Sequence, residues 1–469
     1  MKPFHAFIII SIVLIVLSCK KDTFITSANA TLNTSADTLH FDTVFTSIGS
    51  VTQYFRIFNT NDQKLRLTNI QLGGGTNSAF KINVDGFAGP SVSNIEIEPN
   101  DSVYVFVTVK IDPTVANISF VIQDSIRLEY NGNLKWIQLS AWGQNANFYR
   151  SKIISTNETW VNTKPYVILG SLQVAPGATL TINKGARIYV HADAPLIIDG
   201  TLKVMGEKYD STRVVFRGDR LDEPYRDFPA AWPGIYFRAS SNDNELNFAV
   251  IRNAYQGIVA DQPSVNGNAK LVLNECIIDN CYDAGIIGIK SNIKATNCLI
   301  SNCGKNLVLV HGGVYDFTHC TTAAISNDFI SHKEPVLFVT NFIKDGNNVL
   351  TADLSANFRN CIFWGENGTV DDEVSLTKQG SAVFKINFQN CLWKAKNDPS
   401  AVAGVSSSNI IANQNPVFDS IATRGRFYSF RLKDGSPALN KGIATGVSLD
   451  LDGNARSVGL PDIGSYEKQ

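Results

Sequence analysis

Several groups of residues in this 469-residue chain have side-chain types and spacings that could do chemistry. The first centres on Cys19. Lys2 supplies a positive start, Phe7 to Leu17 is almost wholly apolar, and Ser18 puts a small residue directly before the thiol. That is the pattern of a secretory signal cleaved so that the new N-terminal cysteine can be diacylated. The apolar run is shorter than the roughly 20 residues of a spanning helix. A second group is the charged run Arg217, Asp219, Arg220, Asp222, Glu223, Tyr225, Arg226 and Asp227, followed by Trp232. Its guanidinium, carboxylate and ring groups could hydrogen-bond to or stack on a sugar, or its charges could simply neutralise one another. His311, Asp316 and His319 form a third, weaker set with the segment Val310-His-Gly-Gly313, and separate structural roles are the alternative. Asp450, Asp452 and Asn454 have the alternate spacing of a calcium loop. Gly453, Ala455 and Pro461 depart from the EF-hand pattern, and a closing turn held by Asp462 and Arg456 is the competing account.

Other chemistries lack support. Lys plus Arg number 41 against 42 Asp plus Glu, for a net charge of -1, so there is no basic footprint for a nucleic acid partner. Eight cysteines in an exported chain would ordinarily point to disulfides. With Cys19 consumed by lipid an odd number remains, and no pair has the spacing and companion histidines of a zinc site.

The elements that must position these residues read as strands. Only two methionines occur, Gly reaches 34, and Asn, Thr, Val, Ile and Phe are frequent, which suits strands and turns. A flexible tether is expected over 20–35. Seven strand-length runs follow between Thr38 and Ala141, with turn signals such as Asn61-Asp62, Pro99-Asn100-Asp101 and Asn131-Gly132-Asn133. That pattern predicts a β-sandwich over 36–146. After residue 150 short strands recur between glycine turns. Cys276, Cys298 and Cys320 are 22 apart, as are Cys281 and Cys303, Ile278 and Ile300, and Asn280 and Asn302. Ala249-Val-Ile-Arg-Asn-Ala254 aligns with Cys276-Ile-Ile-Asp-Asn-Cys281, and Cys361 and Cys391 carry the pattern on at a spacing of 30. A 22-residue coil of β-type residues predicts a parallel solenoid over 150–440. In it Cys276, Cys298, Cys320, Cys281 and Cys303 stack inside as inert apolar thiols, while Asn280 and Asn302 stack at a corner. A closing segment, 441–469, completes the chain.

Resemblances sharpen these expectations. The Cys-Lys-Lys-Asp start resembles lipoproteins of the Bacteroidetes group, in which acids after the cysteine can direct export to the cell surface; a single acid, Asp22, is present in that position here. Phe55-Arg-Ile-Phe-Asn59 and Glu98-Pro-Asn-Asp-Ser102 resemble the abnormal-spindle and Hydin type of immunoglobulin-like domain, which implies a spacer or binding surface. Val174-Ala-Pro-Gly-Ala-Thr-Leu-Thr-Ile182, Trp232-Pro-Gly-Ile-Tyr-Phe237 and the Asn-Cys coils resemble the right-handed parallel β-helix, or pectate-lyase-like, superfamily. The ending Asp450 to Arg456 with Pro461 to Glu467 resembles choice-of-anchor proteins built on that helix. The fold expected is therefore all-β, an immunoglobulin-like sandwich followed by a right-handed parallel β-helix. The expected function is non-catalytic glycan binding, or a structural or adhesive role, in a lipid-anchored protein of the cell envelope whose expected location is the outer membrane. The alternative is a polysaccharide lyase or glycoside hydrolase, for which the chain offers neither a recognisable base-and-calcium set nor clustered aspartates. No cofactor is expected beyond the calcium candidate.

Overall fold

The computed structural model describes residues 23–45, 52–111, 120–456 and 459–469, and their regular structure is almost entirely β-strand. Cys19 and the expected leader lie outside the described residues. The chain divides into two compact units between Asn145 and Ala146.

The first unit is a sandwich of two five-stranded sheets. One runs in the order Leu32–Thr34, Gln53–Asn59, Ser102–Val109, Phe80–Val84, Phe87–Ala88. The other runs Thr38–Phe45, Asn133–Gln144, Phe120–Tyr130, Leu65–Leu72, Ser91–Ile97. Period-2 alternation decides what each strand buries. Val103, Val105, Val107 and Val109 enter the core, while Tyr104 and Phe106 face outward. The core joins both sheets, with Phe41, Phe55, Phe80, Leu67, Ile126 and Ile137 among its members. Leu32–Thr34, Phe80–Val84 and Phe87–Ala88 are strands beyond the seven expected. The expected tether over 20–35 also needs correcting in its second half. Leu32–Thr34 pairs with Gln53–Asn59, Ile25 N donates to Lys64 O at 2.9 Å, and Ala30 and Leu32 are buried. A polar composition hid an edge strand that is held chiefly by backbone hydrogen bonds.

The second unit is built on one continuous sheet of 26 strands that winds back on itself, each strand pairing in parallel with its counterpart in the next coil. This is a β-solenoid with three sides per coil. One coil reads Leu271–Asn274, Ile277–Asp279 and then the first half of Ala284–Thr296, which bends at Lys290, where φ is 48°, to begin the next. Interior positions alternate along every side, and the same chemistry recurs from coil to coil. Phe317, Phe358 and Phe388 stack in successive coils with ring centroids 5.5 and 4.9 Å apart. Burying rings of this kind contributes roughly 1.5–3 kcal/mol each.

The corners explain the residues that punctuate the repeat. Before the second side, the left-handed conformation recurs at Glu275, Asn297, His319, Asn360 and Asn390. A cysteine follows each one: Cys276, Cys298, Cys320, Cys361 and Cys391, all buried and free. Asn tolerates this backbone because its short side chain bonds locally. After the second side, Asn253, Asn280 and Asn302 adopt it again, with Asn280 Nδ2 donating to Asn253 Oδ1 at 3.2 Å. Cys281 and Cys303 stack beyond that corner, where Cys281 N donates to Cys303 Sγ at 3.4 Å. A Cβ at Gly257 would come within 3.0 Å of Cys281 Sγ and 2.6 Å of Gly285 O, so glycine is required there.

The coils end at Ile411–Ala412, short of residue 440. From Phe418 onward the chain instead lies on the outer face of the second side. Phe418, Phe430, Leu432, Leu451 and Ile463 pack on Leu299, Ala323, Ile362, Trp364 and Leu392. The coil pattern hid this change because the hairpin Phe418–Ala422 and Phe427–Leu432 has the same β-type composition as the coils.

Candidate functional site

The second side of the solenoid presents a row of outward residues in register: Tyr189, Arg217, Arg252, Asp279, Ser301 and Ala323. The C-terminal segment covers the row from Ala323 onward, and the loop after Gly218 folds against its start. Between them a cleft of about 470 Å³ remains open. Its floor is Arg252, Asn253, Asp279, Asn280, Ser301 and Asn302. Arg426, Phe427, Tyr428 and Arg431 from the hairpin, with Asp452, form one wall; Asp227 and Phe329 contribute to the opposite one.

Ion pairs and ring contacts fix the walls. Arg426 Nη1 lies 3.3 Å from Asp227 Oδ2, and its guanidinium stands 4.5 Å over the Phe329 ring. Arg431 grips Asp452 through two hydrogen bonds of 2.7 and 2.8 Å. On the floor, Asp279 accepts from Ser301 Oγ at 2.7 Å and lies 3.7 Å from Arg252. Tyr428 lines the cleft, but its Oη is buried beside Asn327 without a hydrogen bond of good geometry.

The charged run picked out from the sequence behaves differently from a single binding loop. Arg220 holds Asp222 bidentately at 2.7 and 2.8 Å and stacks 4.0 Å over Tyr225. Glu223 pairs with Arg226 at 2.5 Å. Arg217 donates to Arg226 O at 2.7 Å, and burial lowers its pKa below the ordinary guanidinium value. Asp219 pairs with His191 at 2.7 Å, and burial raises its carboxyl pKa although the histidine opposes this. These charges neutralise one another, and of the run only Asp227 lines the cleft. Trp232 is corrected from a surface stacking residue to a core one: it is 0% exposed, and its Nε1 donates to Arg252 O at 2.8 Å.

The calcium candidate is also corrected. Asp450 is buried and accepts the backbone N–H groups of Asp452, Asn454 and Glu467 at 2.9, 2.7 and 2.8 Å. A carboxylate ringed by amide N–H donors sits in a positive local field, which disfavours a cation. Asp452 turns to Arg431, and Asn454 Nδ2 donates to Asp450 at 3.4 Å. The turn is closed by Arg456, which pairs with Glu467 at 3.1 Å and donates to Asn297 Oδ1 at 2.9 Å, and by Asp462, which accepts from Asn440 N at 2.7 Å.

His311, Asp316 and His319 take separate roles. Asp316 pairs with Arg359 at 2.8 Å, and His319 is a buried corner residue. All seven cysteines among the described residues are buried, and burial raises the thiol pKa well above its ordinary value at Cys276, Cys298, Cys303, Cys320 and Cys361. They are poor nucleophiles and poor ligands in this state.

Arg252, Asp279 and Ser301 were missed as site residues, although each directly precedes a corner Asn of the aligned coils and so had to point outward. Arg426, Phe427, Tyr428 and Arg431 carried no such signal.

No family model matches the chain, and no curated protein matches it. Solved structures show partial likeness, among them two of different kinds. One is a family 123 glycoside hydrolase from Clostridium perfringens studied for glycolipid glycan hydrolysis. It is 13% identical over 28% of this chain and 31% of that one, with a TM-score of 0.21. The other is the ASH/PapD-like domain of human CEP192, 12% identical over 26% of this chain and 89% of that one, with a TM-score of 0.18. This chain thus spans less than a third of the hydrolase, and both TM-scores are too low to assign a shared fold.

Proposed function

We propose that this chain is a lipid-anchored protein of the cell envelope, tethered through Cys19 to the outer membrane, in which an immunoglobulin-like spacer displays a right-handed parallel β-helix that binds glycan without cleaving it. The observation that carries the binding reading is the cleft. It lies within the 300–1,000 Å³ typical of small-ligand sites and combines exposed ring surface at Phe427 with guanidinium, carboxylate and hydroxyl groups. Rings stack on the apolar faces of a sugar, and the polar groups satisfy its hydroxyls. The anchor rests on the leader pattern and Cys19, and the spacer and helix assignments rest on the sandwich, the solenoid and the sequence resemblances.

The test is a binding and turnover screen of the full-length protein in detergent against neutral and acidic polysaccharides, beside Arg252→Ala. Saturable binding weakened by the substitution, with polymer length unchanged, is the expected result. Release of reducing ends or of unsaturated product absorbing in the ultraviolet would overturn the non-catalytic reading in favour of a hydrolase or lyase. Metabolic labelling with a palmitate analogue tests the anchor: label should enter the wild-type chain and be lost in Cys19→Ala.

A further inference from the structure

We infer that the cleft takes a short stretch of uncharged saccharide and discriminates against polyuronates and other acidic glycans; this rests on the glycan reading of the same site. The charge inventory carries the inference. Five aspartates line the cleft, Asp210, Asp227, Asp279, Asp328 and Asp452, against four arginines, Arg213, Arg252, Arg426 and Arg431. Each arginine has an acidic or carbonyl neighbour. Arg252 faces Asp279 at 3.7 Å, Arg426 faces Asp227 at 3.3 Å, and Arg431 holds Asp452 at 2.7 Å. Arg213 donates to Glu275 O at 3.1 Å and Leu451 O at 2.6 Å. Asp210 and Asp328 have no ion-pair partner among the described residues.

A carboxylated sugar would therefore meet guanidinium groups that each already face an aspartate or, at Arg213, lie buried against carbonyls, and two unneutralised carboxylates. To be bound it would have to take an arginine from an aspartate and leave that aspartate unpaired, at a cost that a neutral sugar avoids. What the cleft offers freely suits hydroxyls and ring faces: the exposed ring of Phe427 and the acceptor oxygens of Asp210 and Asp328. The walls also limit length. The contacts of Arg426 with Asp227 and Phe329 join the hairpin to the opposite wall, so the cleft is bridged, and it suits a few sugar units better than a polymer lying along many coils.

Isothermal titration of the full-length protein in detergent at low salt, with cellotetraose, xylotetraose, mannotetraose, laminaritetraose and tetragalacturonate, tests this. At least one neutral tetrasaccharide should bind at least tenfold more tightly than tetragalacturonate. Phe427→Ala, at an exposed position, should weaken that binding at least fivefold. Asp210→Asn with Asp328→Asn should narrow the gap to tetragalacturonate. Equal or tighter binding of tetragalacturonate by the wild type would overturn the inference and leave the glycan reading standing. Neutral binding indifferent to Phe427→Ala would place the saccharide elsewhere and overturn the inference for this cleft. Binding of neither class by protein with an intact melting transition would overturn the glycan reading itself.

Discussion

His319 shows how one residue can be read two ways. As a histidine near Asp316 it invites an acid-base role, but it occupies a corner that neighbouring coils fill with Asn297, Asn360 and Asn390, at φ 52°. The amide of Asn360 is oriented by Ile443, whose N–H donates to Oδ1 at 2.9 Å and whose carbonyl accepts from Nδ2 at 2.8 Å. Nδ2 therefore faces His319 Nε2, 2.9 Å away, which must accept and so be unprotonated. Burial, reinforced by Arg456, takes the His319 pKa from 6.5 down to about 3. The unfolded chain then binds the proton first. The stability contribution is complete above pH 6.5 and is lost as pH falls from 6.5 through about 3. By pH 4.5 the loss should reach about 2–3 kcal/mol. His319→Asn, the residue of the neighbouring corners, should fold and flatten that acid limb in urea titrations run from pH 7 to 4. The thiols give a second prediction at this scale. None of the seven buried cysteines should react with an aromatic disulfide reagent in the native protein. After denaturation seven should react if Cys19 carries lipid through its sulfur, and eight if it does not.

Among the elements, the second side of the solenoid and its flanking corners carry most of the design. The 22-residue spacing of cysteine, isoleucine and asparagine was legible because one coil imposes one register, and every copy restates it. Asn302 tests the corner. It adopts φ 52°, and its Oδ1 accepts the Ile325 N–H at 3.1 Å. Asn302→Ala should cost about 1–3 kcal/mol, from the left-handed backbone and the lost hydrogen bond together, measured as a shift in the urea midpoint at constant slope. Asn302→Gly should recover the backbone part of the loss. The cleft floor was legible in the same way, through the residues before each corner Asn. Its walls were not. Arg426 meets Asp227 across 199 residues, and no periodicity or local motif encodes a pairing at that separation.

At the scale of the molecule, each unit carries a core of its own. The sandwich core draws on residues between Ala30 and Ala141, and the main solenoid core on residues between Ile154 and Ala395. Residues 146–469 expressed alone should therefore fold, with strand-rich circular dichroism and a melting midpoint within a few degrees of the same transition in the full chain. Failure to fold would mean that the solenoid depends on the sandwich. The alternating runs made two β units and a closing segment readable from sequence, whereas the edge strand Leu32–Thr34 was hidden by its polar composition and the hairpin of Phe418–Ala422 and Phe427–Leu432 by its likeness to the coils.

The cover has a consequence for the order in which the chain becomes functional. A solenoid can begin to form as its coils emerge, since each leans on its neighbour. Yet Arg213, at an early coil, reaches forward 238 residues to the carbonyl of Leu451, and the cleft has no hairpin wall until Phe427 to Arg431 have been made. Assembly of the site thus reports that synthesis has passed the final coil. A chain ending at Ala412 should keep every coil and its strand signature but bind no saccharide in the cleft, and amide exchange along Ile277–Asp279 and Leu299–Ser301 should quicken as their outer face meets solvent.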